Sequence, residues 1–296
     1  MKIVNIMGGL GNQMFQYSFA LSLRHQTSII VKLDISGYVN YELHYEIHNG
    51  FELENIFYLN ESYSNSSERD AIYNCKTDLI TRIHRKVSSN IKFGVIESKK
   101  DEFRFRSHLY LPLVGDCFYS GYWQSYKYFK DIEHILRARL VFPKLSEKEN
   151  IELSERILQR ESVAIHFRRG DYVANKTFGG ICTLKYYEDA ISLIKLKVEN
   201  PLFIIFSNDL NWCKSNLKFN DAIFVNWNVE IKSFRDMQLM SMCNHNIISN
   251  SSFSWWGAWL NNNKNKIVIS PNKWINNDHN IEDVIPPDWT LINVRE

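Results

Sequence analysis

Val163-Ala164-Ile165-His166-Phe167-Arg168-Arg169-Gly170-Asp171-Tyr172 changes character halfway along its length. The first half, from Ser162 to Phe167, is an apolar run of strand type, as expected of a strand buried on both faces of a parallel sheet. The second half breaks at Gly170, with His166, Arg168, Arg169 and Asp171 crowded at the carboxyl end. In open α/β sheets, ligands bind just outside that end. Two adjacent guanidiniums repel each other unless an anion sits between them or a carboxylate neutralises them, and arginine's fork suits phosphate oxygens. The stretch therefore has two readings. It is an anion site, or it is a structural ion cluster in which Asp171 and nearby acids pair with the arginines.

Beyond this stretch the alternation is regular. A helix from Lys185 to about Val198 leads to strand Leu202 to Ser207, a short helix around Leu210 to Leu217, and strand Ala222 to Trp227. A helix from Phe234 to Cys243, strand Asn246 to Ser249, a helix from Phe253 to about Leu260 and strand Lys266 to Ser270 follow. Strands separated by helices of this length imply parallel βαβ units in a doubly wound sheet. Upstream, Lys2 to Met7 reads as a strand, Gln13 to His25 as a helix and Ser28 to Leu33 as a second strand. Asp116 to Trp123 is strand-like and runs into a helix from about Tyr126 to Leu140. Pro143 breaks the chain, and Ser146-Glu147-Lys148-Glu149 has the spacing of a capping box opening a helix to about Arg160. Two domains are expected, residues 1–144 and 145–296, facing each other across a cleft. Between Ser36 and Ser107 no clean period emerges, and Asn60 to Ser67 reads as a surface loop.

The totals exclude several classes. A net charge of +2 gives no global footprint for nucleic acid. The five cysteines are odd in number, scattered and without a Cys-x-x-Cys, which argues against a disulfide framework or a zinc site and suits a reducing compartment. No apolar run has the length of a membrane-spanning helix, and the first residues are too short an apolar run for a signal peptide. A cytoplasmic chain is expected. There is no Asp-x-Asp, no His-Glu-x-x-His and no Walker lysine loop, so no metal site is expected, and arginines with helix ends would stabilise a leaving diphosphate.

Four further positions carry possible chemistry. Gly8-Gly9-Leu10-Gly11-Asn12 follows the first strand, but Met14 stands where a third dinucleotide-binding glycine would be. The turn still allows a ligand close to a helix N-terminus; a tight turn without ligand is the rival reading. Asp209 suits an N-cap for the helix around Leu210 to Leu217. Asn250-Ser251-Ser252 ends a strand and starts a helix, where backbone N–H groups, hydroxyls and the helix dipole together make an anion site; a plain serine cap uses the same geometry. Asp236 has capping-box spacing to Ser233, or could accept two hydrogen bonds from a guanine edge, with His166 adding a contact.

Gly8-Gly9-Leu10-Gly11-Asn12-Gln13-Met14-Phe15-Gln16, Gly121-Tyr122-Trp123-Gln124-Ser125, His166 to Tyr172, Phe206-Ser207-Asn208-Asp209 and Asn250 to Gly257 occur in that order. Together they resemble the bacterial α-1,2-fucosyltransferases of glycosyltransferase family 11. The resemblance implies a GT-B-like α/β fold of two Rossmann-like domains with parallel sheets facing a central cleft. The N-terminal domain would serve the acceptor and the C-terminal one GDP-β-L-fucose. It implies inversion, no required metal or cofactor, and an α-1,2 link to a terminal β-galactose. By similarity to α-1,6-fucosyltransferases, Arg168 contacts the donor diphosphate with Arg169 in support, His166 and Asp236 read guanine, and Ser251 and Ser252, beside Asn250, hold phosphate. Gly9, Gly11 and Asn12 join the donor-binding set. Those relatives have a glutamate after the arginine pair where this chain has Lys176, so Asp171 is the candidate base, with orientation of Arg168 as its other role.

The acceptor is expected to be a galactose-ended oligosaccharide or lipid-linked glycan, as in O-antigen synthesis. Arg82-Ile83-His84-Arg85-Lys86 reads as a solvated helix face, with contact to the inner face of the membrane as the second reading. The rival functions are transfer from the same donor to another acceptor or linkage, and a non-catalytic nucleotide-sugar or glycan-binding protein.

Overall fold

A computed structural model describes residues 1–27, 29–39, 49–74, 94–97, 103–110, 116–219, 221–276 and 281–294. The basic segment at 82–86 lies outside the described residues. The chain divides into two compact units, Met1–Val141 and Phe142–Glu296. Each is built on its own parallel sheet.

In the first unit, strands β1 (Lys2–Asn5), β2 (Val31–Asp34), β3 (Gly94–Glu97) and β4 (Cys117–Ser120) lie in the order β2-β1-β4-β3. The pairings are parallel. The helix Leu10–Thr27 packs on this sheet with apolar and polar residues alike buried, Met14, Phe15 and Phe19 beside Gln13, Gln16, Ser18 and Ser22. Buried amides need partners. Gln16 accepts from the Met7 N–H at 2.9 Å and donates to the Gly121 carbonyl at 3.1 Å. Gln13 donates to the carbonyls of Gly8 and Gly50 and accepts from the Glu52 N–H. These two side chains staple the first turn to its neighbouring loops. Gly8 needs its glycine, because its φ is +77°.

In the second unit, β5 (Ser162–Phe167), β6 (Leu202–Ser207), β7 (Ala222–Val225), β8 (His245–Ile247), β9 (Val268–Pro271) and β10 (Thr290–Ile292) lie in the order β10-β9-β8-β5-β6-β7. Every pairing is parallel. All of β5 is buried. Its residues alternate between two cores, as strand geometry requires. Val163, Ile165 and Phe167 pack with Tyr187, Ile191 and Ile194 of the helix Leu184–Lys197. Ala164 packs with Leu153 and Ile157 of the helix Lys148–Gln159 and with Leu239 and Met240 of the helix Phe234–Met242. Burial on both faces is why the sequence there is continuously apolar.

The chain leaves β5 in one direction through β6 and β7, then returns to lay β8, β9 and β10 on the other side. The strand order therefore reverses beside β5, between β5 and β8. Such a switch point opens a crevice at the carboxyl edge of the sheet.

Several expectations need correction. The segment from Tyr126 to Leu140 is not one helix: tight turns at Tyr126–Tyr128 and Lys130–Ile132 precede the helix Glu133–Arg139. Tyr128 and Phe129 are both buried, and each of the two turns closes with i→i+3 bonds, Phe129 N–H to the Tyr126 carbonyl and Ile132 N–H to the Phe129 carbonyl. The capping box at Ser146 does not form. Glu147 stands at the N-cap without a side-chain cap bond, and the Ser146 hydroxyl accepts from Arg235 at 3.5 Å. The supposed loop from Asn60 to Ser67 contains a bridge between Leu33 and Tyr63 and the start of the helix Ser66–Asn74. Strands β3 and β10 and the short helix Gly170–Val173 were not expected.

Candidate active site

β5, β6 and β8 end side by side, because His166 pairs with Phe206, Phe167 with Ser207 and Ile165 with Ile247. The polar residues after these strands therefore share one edge of the second unit.

Each arginine after β5 is held by one carboxylate and one aromatic ring. Arg168 Nη2 donates to Asp171 Oδ2 at 2.9 Å, and its guanidinium lies 5.4 Å from the centre of the Tyr172 ring. Arg169 Nε donates to Asp209 Oδ2 at 3.4 Å, and its guanidinium sits 3.8 Å from the Trp212 ring centre. Both side chains keep over a quarter of their surface exposed, at 27% and 28%. Exposed ion pairs contribute little to stability, so fold stability alone gives a weak reason for this arrangement. Arg168 also has a buried Nε with no hydrogen-bond partner among the described residues. An unpaired buried donor costs free energy, as at a site built for an acceptor.

Asn208 ties the strand ends together. Its Oδ1 accepts from the Arg169 N–H at 2.9 Å, and its Nδ2 donates to Asp171 Oδ1 at 3.4 Å. Asp209 is the N-cap of the helix Leu210–Asn216, accepting from the Trp212 N–H, while it also holds Arg169. The local and the cluster roles coexist.

His166 lies on the same face of β5 as Ala164, with its Nδ1 3.0 Å from Ser249 Oγ and its ring 5.8 Å from that of Phe253. Burial, with the Arg168 charge adding to it, pushes its pKa down to about 3, so it is neutral at pH 7. Asn250 is a structural clamp. Its Nδ2 donates to the carbonyls of Phe178 and Trp274, and its own carbonyl accepts from the Tyr172 hydroxyl at 3.4 Å. Through Tyr172, Arg168 stands one aromatic ring from the turn that opens the helix Ser252–Leu260. Ser251 occupies the N-cap position, yet its hydroxyl makes no cap bond. The simple serine-cap reading therefore fails, and the first N–H groups of this helix keep their capacity for an anion.

Asp236 does not form a capping box with Ser233, which makes no side-chain cap bond. Its Oδ1 accepts instead from Asn228 Nδ2 at 2.8 Å. Desolvation raises its pKa to about 7, with the Asn228 bond acting against that rise. Leu239 and Met240 of the same helix belong to the core under Ala164, so Asp236 stands on the His166 side of the sheet.

Gly9, Gly11 and Asn12 belong to the other unit. The Gly9 carbonyl accepts from the N–H groups of Asn12 and Gln13, and Asn12 Oδ1 accepts from Gln124 at 2.8 Å. The buried Glu52 carboxylate receives the Asn49 amide and the Leu10 N–H, against a desolvation that raises its pKa. An acidic group of the chain itself thus occupies the helix tip where the sequence suggested an external anion. Glu52, Tyr172, Trp212, Asn208 and Asn228 received no role from the sequence. Tyr172 and Asn208 lie inside the quoted strand-end stretches and Trp212 follows the Asp209 cap by three residues, whereas Glu52 and Asn228 carry no such signal.

Among the described residues, no cluster of His, Cys, Asp and Glu could hold a metal, and no helix is long and apolar enough to cross a membrane.

Two parallel α/β units define a GT-B-like fold, and the second carries two arginines at its switch point. The family description Glycosyl transferase family 11 matches residues 1–293, and the chain belongs to that family. It is 34% identical to the alpha-1,2-colitosyltransferase of Escherichia coli over 98% of both chains. It is 32% identical to the O-antigen biosynthesis glycosyltransferase WbnK of Escherichia coli, over 91% of this chain and 93% of that one. A 103-residue stretch, 33% of this chain and 30% of the relative, is 31% identical to galactoside alpha-(1,2)-fucosyltransferase 2 of Sus scrofa. Among solved structures, FUT1 of Arabidopsis thaliana, in complex with GDP, superposes with a TM-score of 0.51 at 13% identity, over 90% of this chain and 69% of that one. That likeness is one of fold.

Proposed function

We propose that this enzyme transfers L-fucose from GDP-β-L-fucose to the 2-hydroxyl of a terminal β-galactose, with inversion and without a metal. The α-1,2 product would be part of a surface polysaccharide of O-antigen type, built at the cytoplasmic side of the membrane. The second unit, from about residue 145, binds the donor, and the first serves the acceptor. The observation that carries this reading is the Arg168 guanidinium, with its buried, unpaired Nε, at the switch point beside the tip of the helix Ser252–Leu260.

As the glycosidic bond breaks, negative charge gathers on the leaving diphosphate. Arg168 and the helix N–H groups, with Ser251 and Ser252, stabilise that charge from fixed positions. Arg169 adds a second positive charge held by Asp209 and Trp212. The ionised Asp236 accepts from the guanine N1–H and 2-amino groups, while neutral His166 contacts the same base. Asp171 either takes the proton of the attacking hydroxyl or orients Arg168. That both its oxygens already receive donors, Arg168 and Asn208, favours orientation.

A second reading is favoured by the 34% identity to the alpha-1,2-colitosyltransferase. Colitose is L-fucose without its 3-hydroxyl, so the donor sugar would differ by one oxygen. GDP release and product formation should be measured with GDP-fucose, GDP-colitose and GDP-mannose, with lactose as acceptor and EDTA present. Transfer from GDP-fucose in EDTA supports the proposal. Transfer from GDP-colitose alone moves the assignment to the second reading, and loss of activity with EDTA refutes metal independence.

A further inference from the structure

We propose that the buried amide pair of Asn150 and Asn228 positions Asp236 as a hydrogen-bond acceptor and so sets the preference of the site for a guanine nucleotide. This rests on the reading of Asp236 given above, and it assigns that selectivity to residues that never touch the nucleotide.

Asn150 is fully buried and Asn228 is 8% exposed. They form a reciprocal pair: Asn150 Nδ2 donates to Asn228 Oδ1 at 2.8 Å, and Asn228 Nδ2 donates to Asn150 Oδ1 at 3.0 Å. Amide orientation is often ambiguous, but here the neighbours decide it. The Trp227 indole can only donate, and its Nε1 lies 2.7 Å from Asn150 Oδ1. The Glu147 carboxylate can only accept when ionised, and its Oε2 lies 3.5 Å from Asn150 Nδ2. Asn150 therefore has one permitted orientation, which leaves one for Asn228. Its amide hydrogens then go to Asn150 and to Asp236 Oδ1, the latter at 2.8 Å.

The consequence falls on Asp236. A donor that cannot turn away demands an accepting oxygen, and it holds the carboxyl plane in place. The second oxygen, Oδ2, has no hydrogen-bond partner among the described residues. Guanine offers two parallel N–H donors, at N1 and the 2-amino group, which match an accepting carboxylate. Adenine offers an acceptor at N1, and hypoxanthine lacks the 2-amino group. A carboxyl free to rotate or to become protonated would discriminate among these far less, since rejection depends on leaving a buried polar group unpaired.

The test is calorimetric binding of GDP, IDP and ADP to the full chain, as the unaltered protein and as two variants. Asn228→Leu removes the donor with little change in volume. Trp227→Phe keeps an aromatic side chain, though a smaller one, and removes the indole N–H that orients Asn150, so it tests the relay should the first variant fail to fold. A hydrogen bond to a charged group corresponds to roughly ten- to a hundredfold in affinity, so the unaltered protein should prefer GDP over IDP by about that factor. In both variants the GDP-to-IDP ratio should fall towards one, with GDP itself bound about tenfold more weakly. A merely structural role would lower the melting temperature and leave that ratio intact. A retained ratio in either folded variant overturns the relay while the guanine reading stands. No preference for GDP in the unaltered protein overturns the guanine reading, and the relay with it.

Discussion

Arg168 and Asp171 form a 2.9 Å ion pair across a single turn, while the Nε of the same guanidinium is buried with no hydrogen-bond partner among the described residues. The carboxylate is thus engaged by one end of the fork, and the inner N–H still lacks an acceptor. A purely structural pair would more naturally satisfy the buried donor as well. A diphosphate oxygen is the missing acceptor in the proposed reaction.

Arg168→Lys and Arg168→Ala should both lose turnover, by roughly 10²–10³-fold, the usual scale for removing one positioned donor to a developing charge. Lysine should rescue little, because a point charge does not replace a fork. Steady-state kinetics beside a thermal melt checks this. Turnover within a few-fold of normal would return the pair to a structural role.

Asp171→Asn separates orientation from base catalysis. If Asp171 orients Arg168, kcat should drop by roughly tenfold and the acidic limb of the pH–rate profile should persist. Disappearance of that limb identifies Asp171 as the group that takes the acceptor proton.

The second sheet was legible because β5 and β6 are apolar on both faces and bounded by charge or serine, which is why Ser162–Phe167 and Leu202–Ser207 were read to the residue. β10 was not, since Thr290 and Leu291 sit on an edge and carry no alternation. The arginines, Asp209 and the Ser251-Ser252 turn could be read as chemistry at strand ends. Their supports could not. Tyr172 beside Arg168 depends on the short helix Gly170–Val173, which no periodicity announces, while Trp212 beside Arg169 and Asn150 beside Asn228 are set by packing between elements distant in sequence, and an asparagine in a helix looks the same whether solvated or buried. The cap expected at Ser146, and the local one of the two readings open for Asp236, show the limit of spacing rules: Arg235 claims the Ser146 hydroxyl, and Asn228 claims the Asp236 carboxylate.

Gly170→Ala should injure activity more than stability. A Cβ there would lie 2.4 Å from Asn208 Nδ2, so the Asn208 side chain must move. Its bonds to the Arg169 N–H and to Asp171 would then break. Turnover is expected to fall about tenfold with about 1 kcal/mol of destabilisation, the low end for overpacking, because the side chain that must yield is short and partly exposed. Chemical denaturation paired with kinetics reports both, and unchanged turnover would show that Asn208 does not order the arginines.

Glu147 should make stability depend on acid pH. Burial alone would raise its pKa; the N–H of Glu147 itself, the Arg235 charge, the Ser146 N–H and the Asn150 amide outweigh burial and bring it down to about 2. A depressed carboxyl contributes stability above its unfolded pKa, near 4.5, and loses it as pH falls through about 2. A tenfold change in proton affinity is worth about 1.4 kcal/mol, and solvent around this partly exposed group screens some of that. Glu147→Gln should therefore cost roughly 1–2 kcal/mol at pH 7. The gap between variant and parent, measured by urea unfolding, should narrow below pH 4.5. A gap that stays constant down to about pH 3 rules out the ion pair as its source.

Asp236 has the opposite sign. Its folded pKa is raised to about 7 by desolvation, so the folded protein binds a proton there that the unfolded chain releases near pH 4. Stability from this group is present below about pH 4 and is lost as pH rises through 7. Asp236→Asn should consequently melt higher than the parent at pH 8. The proposed recognition of guanine by Asp236 runs against that gain, because two N–H donors require the ionised carboxylate. GDP affinity of the parent should weaken by up to tenfold for each pH unit below about 7, beyond any change shown by Asp236→Asn, whose profile carries the titration of the nucleotide phosphate alone. Calorimetry from about pH 5.5 to 8 on both proteins measures the difference. Parallel profiles would place the guanine edge elsewhere, whereas divergence below pH 7 would tie donor recognition to a carboxylate held at the expense of stability.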